Sequence, residues 1–421
     1  MTDPTRPGPM RILLANKFFR PGAGAETAFF ATRRLLMDAG HEVIDFAMAS
    51  DANLPSPYSR HFAPERSYEA GGSRLRRVRD ALASVYSPAA RHAIRRLIAE
   101  HRPDVAHLHN IYHQLTLSIV DELVEQGVPV VLTLHDYKIV CPGYTLYANG
   151  GRCRRCVTGH PFHAVRHRCV KGSRAASALA SVETAIARAR GSYRKVDAVI
   201  SPSRFLAEMA ATQVPAERIH VIPNFLPVES LPTPLPPADR ERSVLFAGRL
   251  DEVKGIRPLL DAFLHHDTDG LRLVVAGDGP LRDLVTAAAD RSDKVDYVGR
   301  IDHDDVQRRL ASSVALVLPA LWEENNPMIV LEARAAGTPV IVSDGGGLPE
   351  MVEDGVDGLL CDARDPAAIA RAVRRLAADD RLAHDMAVAG RERFRRENTP
   401  SAHYERLMAI YRGVQDGRRA A

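Results

Sequence analysis

Two carboxylates and two cations in this chain have types and spacings that can do chemistry. In WEENNPMIVLEARAAGTP, Glu332 follows Glu324 by eight residues. Apolar residues from Met328 to Ala336 predict a helix, which puts Glu324 in the preceding loop and Glu332 about one turn inside. The first N–H groups of a helix have no helical partner and can seat a phosphate, while carboxylates beside them accept hydrogen bonds from hydroxyls. Upstream, in FAGRLDEVKGI, Arg249 and Lys254 follow a short apolar strand and stand at a helix start, where fixed cations can neutralise a diphosphate. A nucleotide sugar carries both kinds of group. Read alone, Glu324 and Glu332 could serve as the acid and base of a glycosidase, but the neighbouring cations favour two grips on a donor.

Repeated βα units must position these residues. RILLAN reads as a buried strand, PGAGAET as a turn, ETAFFATRRLLMDAG as a helix ending at Gly40, and HEVIDFA as the next strand. Gly22 and Gly24 then lie at the first crossover, where a doubly wound sheet binds ligands. A dinucleotide fingerprint would need glycine at Thr27, although Asp45 ends the second strand as a ribose-binding acid would. DVAHLHN and VPVVLTLHDY are two further strands, ending in His107, His109 and Asn110 and in His135 and Asp136. A second series, SVLFAG, LRLVVAG, VDYVG, VALVLPA, PVIVSD and GLLCD, predicts another doubly wound domain. Its loops offer Gly277 and Gly279 in AGDGP, and Gly299, Arg300 and Ile301 at the end of VDYVGRI. Between the two series, FLPVESLPTPLPPADRER holds five prolines and reads as a linker. The expected boundaries are 1–224 for the first domain, 225–242 for the linker, 243–399 for the second domain and 400–421 for a terminal helix.

Four of the five cysteines, Cys141, Cys153, Cys156 and Cys169, fall in one stretch of 29 residues inside a 141–172 insertion. Cys153 and Cys156 form a CxxC clip. Four thiolates could make a closed tetrahedral zinc site or hold an iron–sulfur cluster, with free thiols or a redox pair as the alternative. Cys361 stands apart as a core residue.

Composition excludes several classes. At 421 residues the chain is long for one core. A 45% hydrophobic content, with no apolar run long enough to span a bilayer, describes a soluble globular protein. The polar start MTDPTRPGPM is not a secretory signal, so a cytoplasmic location is expected. Net charge is only +4, but the amino-terminal half is the more basic, with clusters at Arg74, Arg76, Arg77 and Arg79, at Arg91, Arg95 and Arg96, and at Arg152, Arg154 and Arg155. Solvated arginine faces are the plain reading; attraction to an anionic acceptor or the inner membrane face is the functional one. No motif supports nucleic-acid binding.

Taken together, GRLDEVKG, AGDGP, VGRI and the segment from Trp322 to Leu360 resemble the retaining GT-B glycosyltransferases of family 4, whose Glu-x7-Glu motif is matched by Glu324 and Glu332. The resemblance implies two Rossmann-like domains facing each other across a cleft, with the terminal helix crossing back to the first. It implies sugar transfer from a nucleotide diphosphate sugar to an acceptor hydroxyl on a glycan, a lipid-linked molecule or a small molecule, with the anomeric configuration retained and no catalytic divalent metal. Arg249 and Lys254 would bind the diphosphate, Glu332 the ribose, and Glu324 would face the donor sugar. Backbone N–H groups around Asn326, Met328 and Ile329 would contact sugar or phosphate; Pro327 stands where many members have glycine and offers none. Gly279, Arg300 and Ile301 complete the expected donor side, where by position backbone groups of Gly299, Arg300 and Ile301 at a strand end could read a nucleobase edge. In the first domain, Gly24 matches the glycine loop and His109 the histidine beside the transferred sugar, with Gly22 and His135 on the acceptor side. His109 would position and stabilise rather than act as general base. The loop reads GAGAE where paired glycines are commoner. The cysteine insertion after His135, Asp136 and Tyr137 resembles one carried by a subset of the family.

Two other readings share these features: a different sugar-nucleotide reaction on the same frame, such as an epimerase or phosphorylase, and a non-catalytic metal-bearing binding protein. NAD oxidoreduction is weaker, because the fingerprint is incomplete.

Overall fold

In the computed structural model, which describes residues 8–22, 24–65, 83–227 and 234–420, the short aliphatic runs become buried parallel strands. The chain divides into two compact units. Unit 1 comprises 1–145, 154–222 and 403–421; unit 2 comprises 146–153 and 223–402.

The strands in chain order are β1 (Arg11–Ala15), β2 (Glu42–Phe46), β3 (Val105–Leu108), β4 (Val130–Thr133), a hairpin of β5 (Tyr147–Ala148) and β6 (Gly151–Arg152), β7 (Ala198–Ser201) and β8 (Ile219–Val221). Unit 1 orders six of them β2-β1-β3-β4-β7-β8, all parallel. Such strands are covered on both faces, so they read as continuous aliphatic runs with little alternation. The sequence order reverses between β1 and β3, the switch point where a doubly wound sheet opens a crevice. The helix Ala25–Asp38 enters through Gly24, which has φ +60°. Asp45 does not await a ribose. It is fully buried and bound by Arg33 at 2.7 Å and Ser56 at 2.8 Å, so its role is internal.

Unit 2 adds β9 (Glu241–Ala247), β10 (Arg272–Ala276), β11 (Val295–Gly299), β12 (Ser313–Leu318), β13 (Val340–Ser343) and β14 (Leu359–Cys361). Their order is β11-β10-β9-β12-β13-β14, again all parallel, with the switch point between β9 and β12. One aliphatic core joins these strands to the helices Ile256–His265, Met328–Ala336 and Pro366–Ala377 through Phe263, Leu331 and Val373. Cys361 lies in this core, and burial pushes its thiol up to about 12.

The terminal helix Pro400–Ala420 buries Leu407, Met408 and Tyr411 in the unit 1 core with Ile12 and Leu14. Among the described residues, no helix is long and apolar enough to cross a membrane. The arginine clusters are less open than the sequence suggests. Arg91 and Arg95 both bind the buried Glu122, at 2.7 Å and 2.6 Å. The cluster Arg74, Arg76, Arg77 and Arg79 lies outside the described residues.

Candidate active site

In unit 2 the loops that leave β9 and β12 meet at the switch point. A short 3-10 turn, Glu252–Lys254, ends at Gly255 with φ +75°, where an added Cβ would overlap the Pro319 carbonyl. Only glycine allows this approach, and it brings Lys254 beside the second loop. The Leu321 N–H donates to Val253 O at 2.9 Å and locks the two together. Lys254 Nζ then forms an ion pair with Glu324 and lies 5.2 Å from the centre of the Trp322 ring. Glu324 is buried, and its carbonyl accepts the Gly347 N–H at 2.7 Å. Gly346, with φ +64°, lies so close beneath that carbonyl that no side chain would fit. The indole N–H of Trp322 has no hydrogen-bond acceptor among the described residues.

The helix Met328–Ala336 follows directly. Pro327 at its N-cap offers no side-chain cap, so the N–H groups of Met328 and Ile329 stand at an uncapped positive end. Asn326 is fixed by Asn224, which donates its backbone N–H to Asn326 Oδ1 at 3.0 Å and its amide to Asn326 O at 2.8 Å. Glu332 is half-buried; desolvation raises its carboxyl pKa, and His303 opposes that rise. This corner can hold an anion at the helix start and hydroxyls at Glu332.

Arg249 is placed differently. Its side chain is 68% exposed and paired with Asp251. An exposed pair of this kind contributes about 0–1 kcal/mol, so a diphosphate can displace Asp251 at little cost. Lys254 is preorganised and Arg249 is not. Gly279 and Ile301 lie in the loops after β10 and β11, with Arg300 exposed beside Ile301. The Gly277 N–H donates to Gly299 O at 2.7 Å and joins these loops, but nothing carries Arg300 to Lys254.

Unit 1 builds its switch point from neutral groups. The His109 N–H donates to Ala15 O at 2.8 Å and that of Lys17 to Asn110 O at 2.8 Å, so the glycine loop after β1 and the end of β3 are neighbours. Gly22 and Gly24 lie in that loop. His107 and His109 pack with tilted rings, centres 4.4 Å apart, and His109 stacks on His135 at 5.1 Å. His109 Nδ1 and His135 Nε2 are 2.9 Å apart and share a proton, one donating and the other accepting. His107 is held at both nitrogens, by Tyr411 at 2.7 Å and Thr133 at 2.6 Å. Burial drives all three pKa values down, to about 3 for His107, about 4 for His135 and well below 6.5 for His109. Each is a neutral imidazole at pH 7. His109 Nε2 is buried and has no partner among the described residues, leaving one polar atom for a ligand.

Within unit 1, Cys141 and Cys156 lie near the guanidinium of Arg188, which donates to the carbonyls of Val140 at 3.1 Å, Cys156 at 2.5 Å and Gly159 at 2.9 Å. Cys169 packs against Gly143. Cys153 belongs to the unit 2 hairpin.

Sequence reasoning missed Trp322, Asn224, Tyr411 and Arg152 as partners of this machinery. Their contacts span 68 to 304 positions, and no local pattern marks them.

Two family models match the chain, "Glycosyltransferase Family 4" over residues 22–230 and "Glycosyl transferases group 1" over 229–393. A glycogen synthase of Mycobacterium tuberculosis is 36% identical over 156 residues, which are 36% of this chain and 37% of that protein. A phosphatidyl-myo-inositol mannosyltransferase of Mycobacterium leprae is 32% identical over 199 residues, 46% of this chain and 53% of that protein. The matches therefore span about half or less of these relatives' own length. The solved structure of Anabaena HepE with UDP and glucose superposes with a TM-score of 0.65 at 15% identity, covering 98% of this chain and 100% of that one. By fold and by family models, this chain stands among the family-4-like GT-B glycosyltransferases.

Proposed function

We propose that the protein transfers a sugar from a nucleotide diphosphate sugar to an acceptor hydroxyl and retains the anomeric configuration. The observation that carries this reading is the Lys254–Glu324 pair at the unit 2 switch point, beside an uncapped helix start and Glu332. Lys254 and Arg249 neutralise the diphosphate and stabilise it as it leaves, which is electrostatic catalysis aimed at developing charge. Met328 and Ile329 present N–H groups to the phosphates, Glu332 grips the ribose, and Glu324 orients the donor sugar. On the acceptor side His109 offers Nε2 to a sugar hydroxyl. Its depressed pKa means that it holds a hydrogen bond without carrying charge. The departing diphosphate takes the acceptor proton on the same face.

Solved Anabaena HepE was captured with UDP and with glucose, which supports a nucleotide-sugar donor. The mannosyltransferase relative supports a lipid-linked hydroxyl acceptor, reached from the cytoplasmic side through the basic amino-terminal half. We also read the cysteine insertion as the seat of a structural zinc ion or iron–sulfur cluster, a reading that rests on the spacing of its cysteines; among the described residues the cysteine sulfurs do not form a ligand group.

A screen of UDP, GDP, ADP and TDP by thermal shift tests the donor. One diphosphate should raise the melting temperature by mass action, and its sugar conjugate should yield a product of unchanged anomeric configuration by NMR. Stabilisation by none of them, or an inverted product, overturns the reading. The same preparation, assayed for zinc and iron, should contain one of them if the cysteines are ligands.

A further inference from the structure

The hairpin of β5 and β6 lies in the cysteine-bearing insertion, yet it belongs to unit 2. Its last residue, Arg152, reaches two loops of the donor corner. Arg152 Nη2 donates to Asp344 at 3.0 Å in the loop after β13, and Nε lies 3.6 Å from Glu323 in the loop after β12. Glu323 is only 2% exposed and immediately precedes Glu324, whereas Asp344 is 60% exposed. The guanidinium covers Gly345, where an added Cβ would overlap it. Gly346 and Gly347, next along the same loop, press on and hydrogen-bond the Glu324 carbonyl. One cation thus bridges the Glu323–Glu324 segment and the glycine segment that supports it. Beyond the guanidinium lies a cavity of about 170 Å³, lined also by Leu321, Asp362 and Arg364, so close packing does not hold this side.

We propose that Arg152 is a positioning residue for the sugar-facing carboxylate of the donor site, acting through Glu323 and the 344–347 loop on Glu324. This rests on the reading of unit 2 as the donor site. The buried partner decides the energetics: removing Arg152 takes a cation from beside a buried carboxylate and loosens the hold on Glu323. The exposed Asp344 needs no such rescue. Moving Glu323 drags Glu324 and Trp322, its chain neighbours. Lysine at 152 would keep the charge but lose the planar fork that serves two loops at once. An Arg-free hairpin would therefore leave the phosphate grips intact and misplace the group that faces the sugar.

Trp322 is the chain's sole tryptophan, so its fluorescence reports on this loop without any ligand. In Arg152→Ala, checked for folding by circular dichroism, the emission should move to longer wavelength and become more accessible to acrylamide. Affinity for the nucleotide diphosphate selected from UDP, GDP, ADP and TDP should stay within about twofold, while that for its sugar conjugate weakens roughly 10- to 100-fold. Arg152→Lys should recover part of the loss, and Asp344→Asn should change little. Unchanged Trp322 emission, or equal losses for diphosphate and sugar conjugate, overturns the proposal. If the wild type binds none of the nucleotides, the donor reading falls instead, and the Trp322 signal still decides whether Arg152 sets the loop.

Discussion

The two switch points share a backbone plan and differ in charge. In unit 1 the residues at the ends of β3 and β4 are buried imidazoles packed against one another, with Phe29 edge-on to His109. In unit 2 the residues after β9 and β12 are ion pairs, Lys254 with Glu324 and Arg152 with Glu323. Burial lowers the His135 pKa from 6.5 to about 4, so protonating it costs about 3 kcal/mol more in the folded chain than in the unfolded one. The histidines of unit 1 therefore resist charge, although a buried Lys138–Glu183 pair follows β4, whereas the unit 2 switch point stores charge in pairs that a diphosphate could repartition. A parallel sheet supplies the crevice in both cases, and the chemistry comes from what the loops place there.

The sharpest way to break this contrast is to remove one residue from each side. On the proposed donor reading, Lys254→Ala deletes a cation that would meet charge developing on the leaving diphosphate, and kcat/KM for the donor should fall by about 10²–10³-fold. His109→Ala removes a neutral hydrogen bond and should cost less, roughly tenfold. Initial rates with the nucleotide sugar selected by thermal shift compare the two. A loss at His109 equal to that at Lys254 would mean that unit 1 carries charge in the transition state after all.

The next effect is on stability. His107 and His135 have folded pKa values far below their ordinary 6.5, so between those limits the unfolded chain binds more protons than the folded one. Their contribution is complete above pH 6.5 and is lost as pH falls toward 4. Buried Glu122, lowered to about 2 chiefly by its Arg95 hydrogen bond, loses its contribution only below about 4.5. Unfolding midpoints in urea at pH 6.5 and 5.0 span a range over which the histidine contribution falls, and the His135 variant separates it from the carboxyls. The wild type should lose about 1–3 kcal/mol over that interval. His135→Asn should lose distinctly less, and an identical slope in the variant would show that His135 is not held neutral.

How much of this was legible in the sequence depends on the range of the cause. The strand RILLAN, the helix after Pro327 and the glycine loops were readable because hydrophobic runs, proline and glycine act within a few residues. Glu324 and Glu332 were readable as a pair because a helix start fixes their spacing. The partner of Glu324 was not, since Lys254 lies 70 positions away and both are brought together by Gly255 beneath Pro319. Asp45 illustrates the opposite error. An acid at a strand end has the right address for ribose, but only packing reveals that Arg33 and Ser56 already hold it. The arginine clusters looked like open charge because sequence shows cations without showing Glu122 or Glu323 buried among them.

The smallest expected effect tests the remaining carboxylate of the donor corner. Burial raises the Glu332 pKa above its ordinary 4.5, so the group protonates at a higher pH than an exposed glutamate. The ionised form accepts two ribose hydrogen bonds, whereas the neutral acid keeps one good acceptor and must turn its O–H away. Nucleotide affinity, measured by isothermal titration with the selected diphosphate, should therefore weaken as pH falls from 7.5 to 5.5, by roughly threefold. Glu332→Gln has the same shape and no titration, so its affinity should be weaker at pH 7.5 and flat across the interval. His303 lies close enough to act on Glu332, so His303→Gln must leave the wild-type trend in place. Affinity that rises on acidification, or a glutamine variant with the full pH dependence, would mean that the ribose is held elsewhere and that Lys254 and Glu324 are the only strong grips in unit 2.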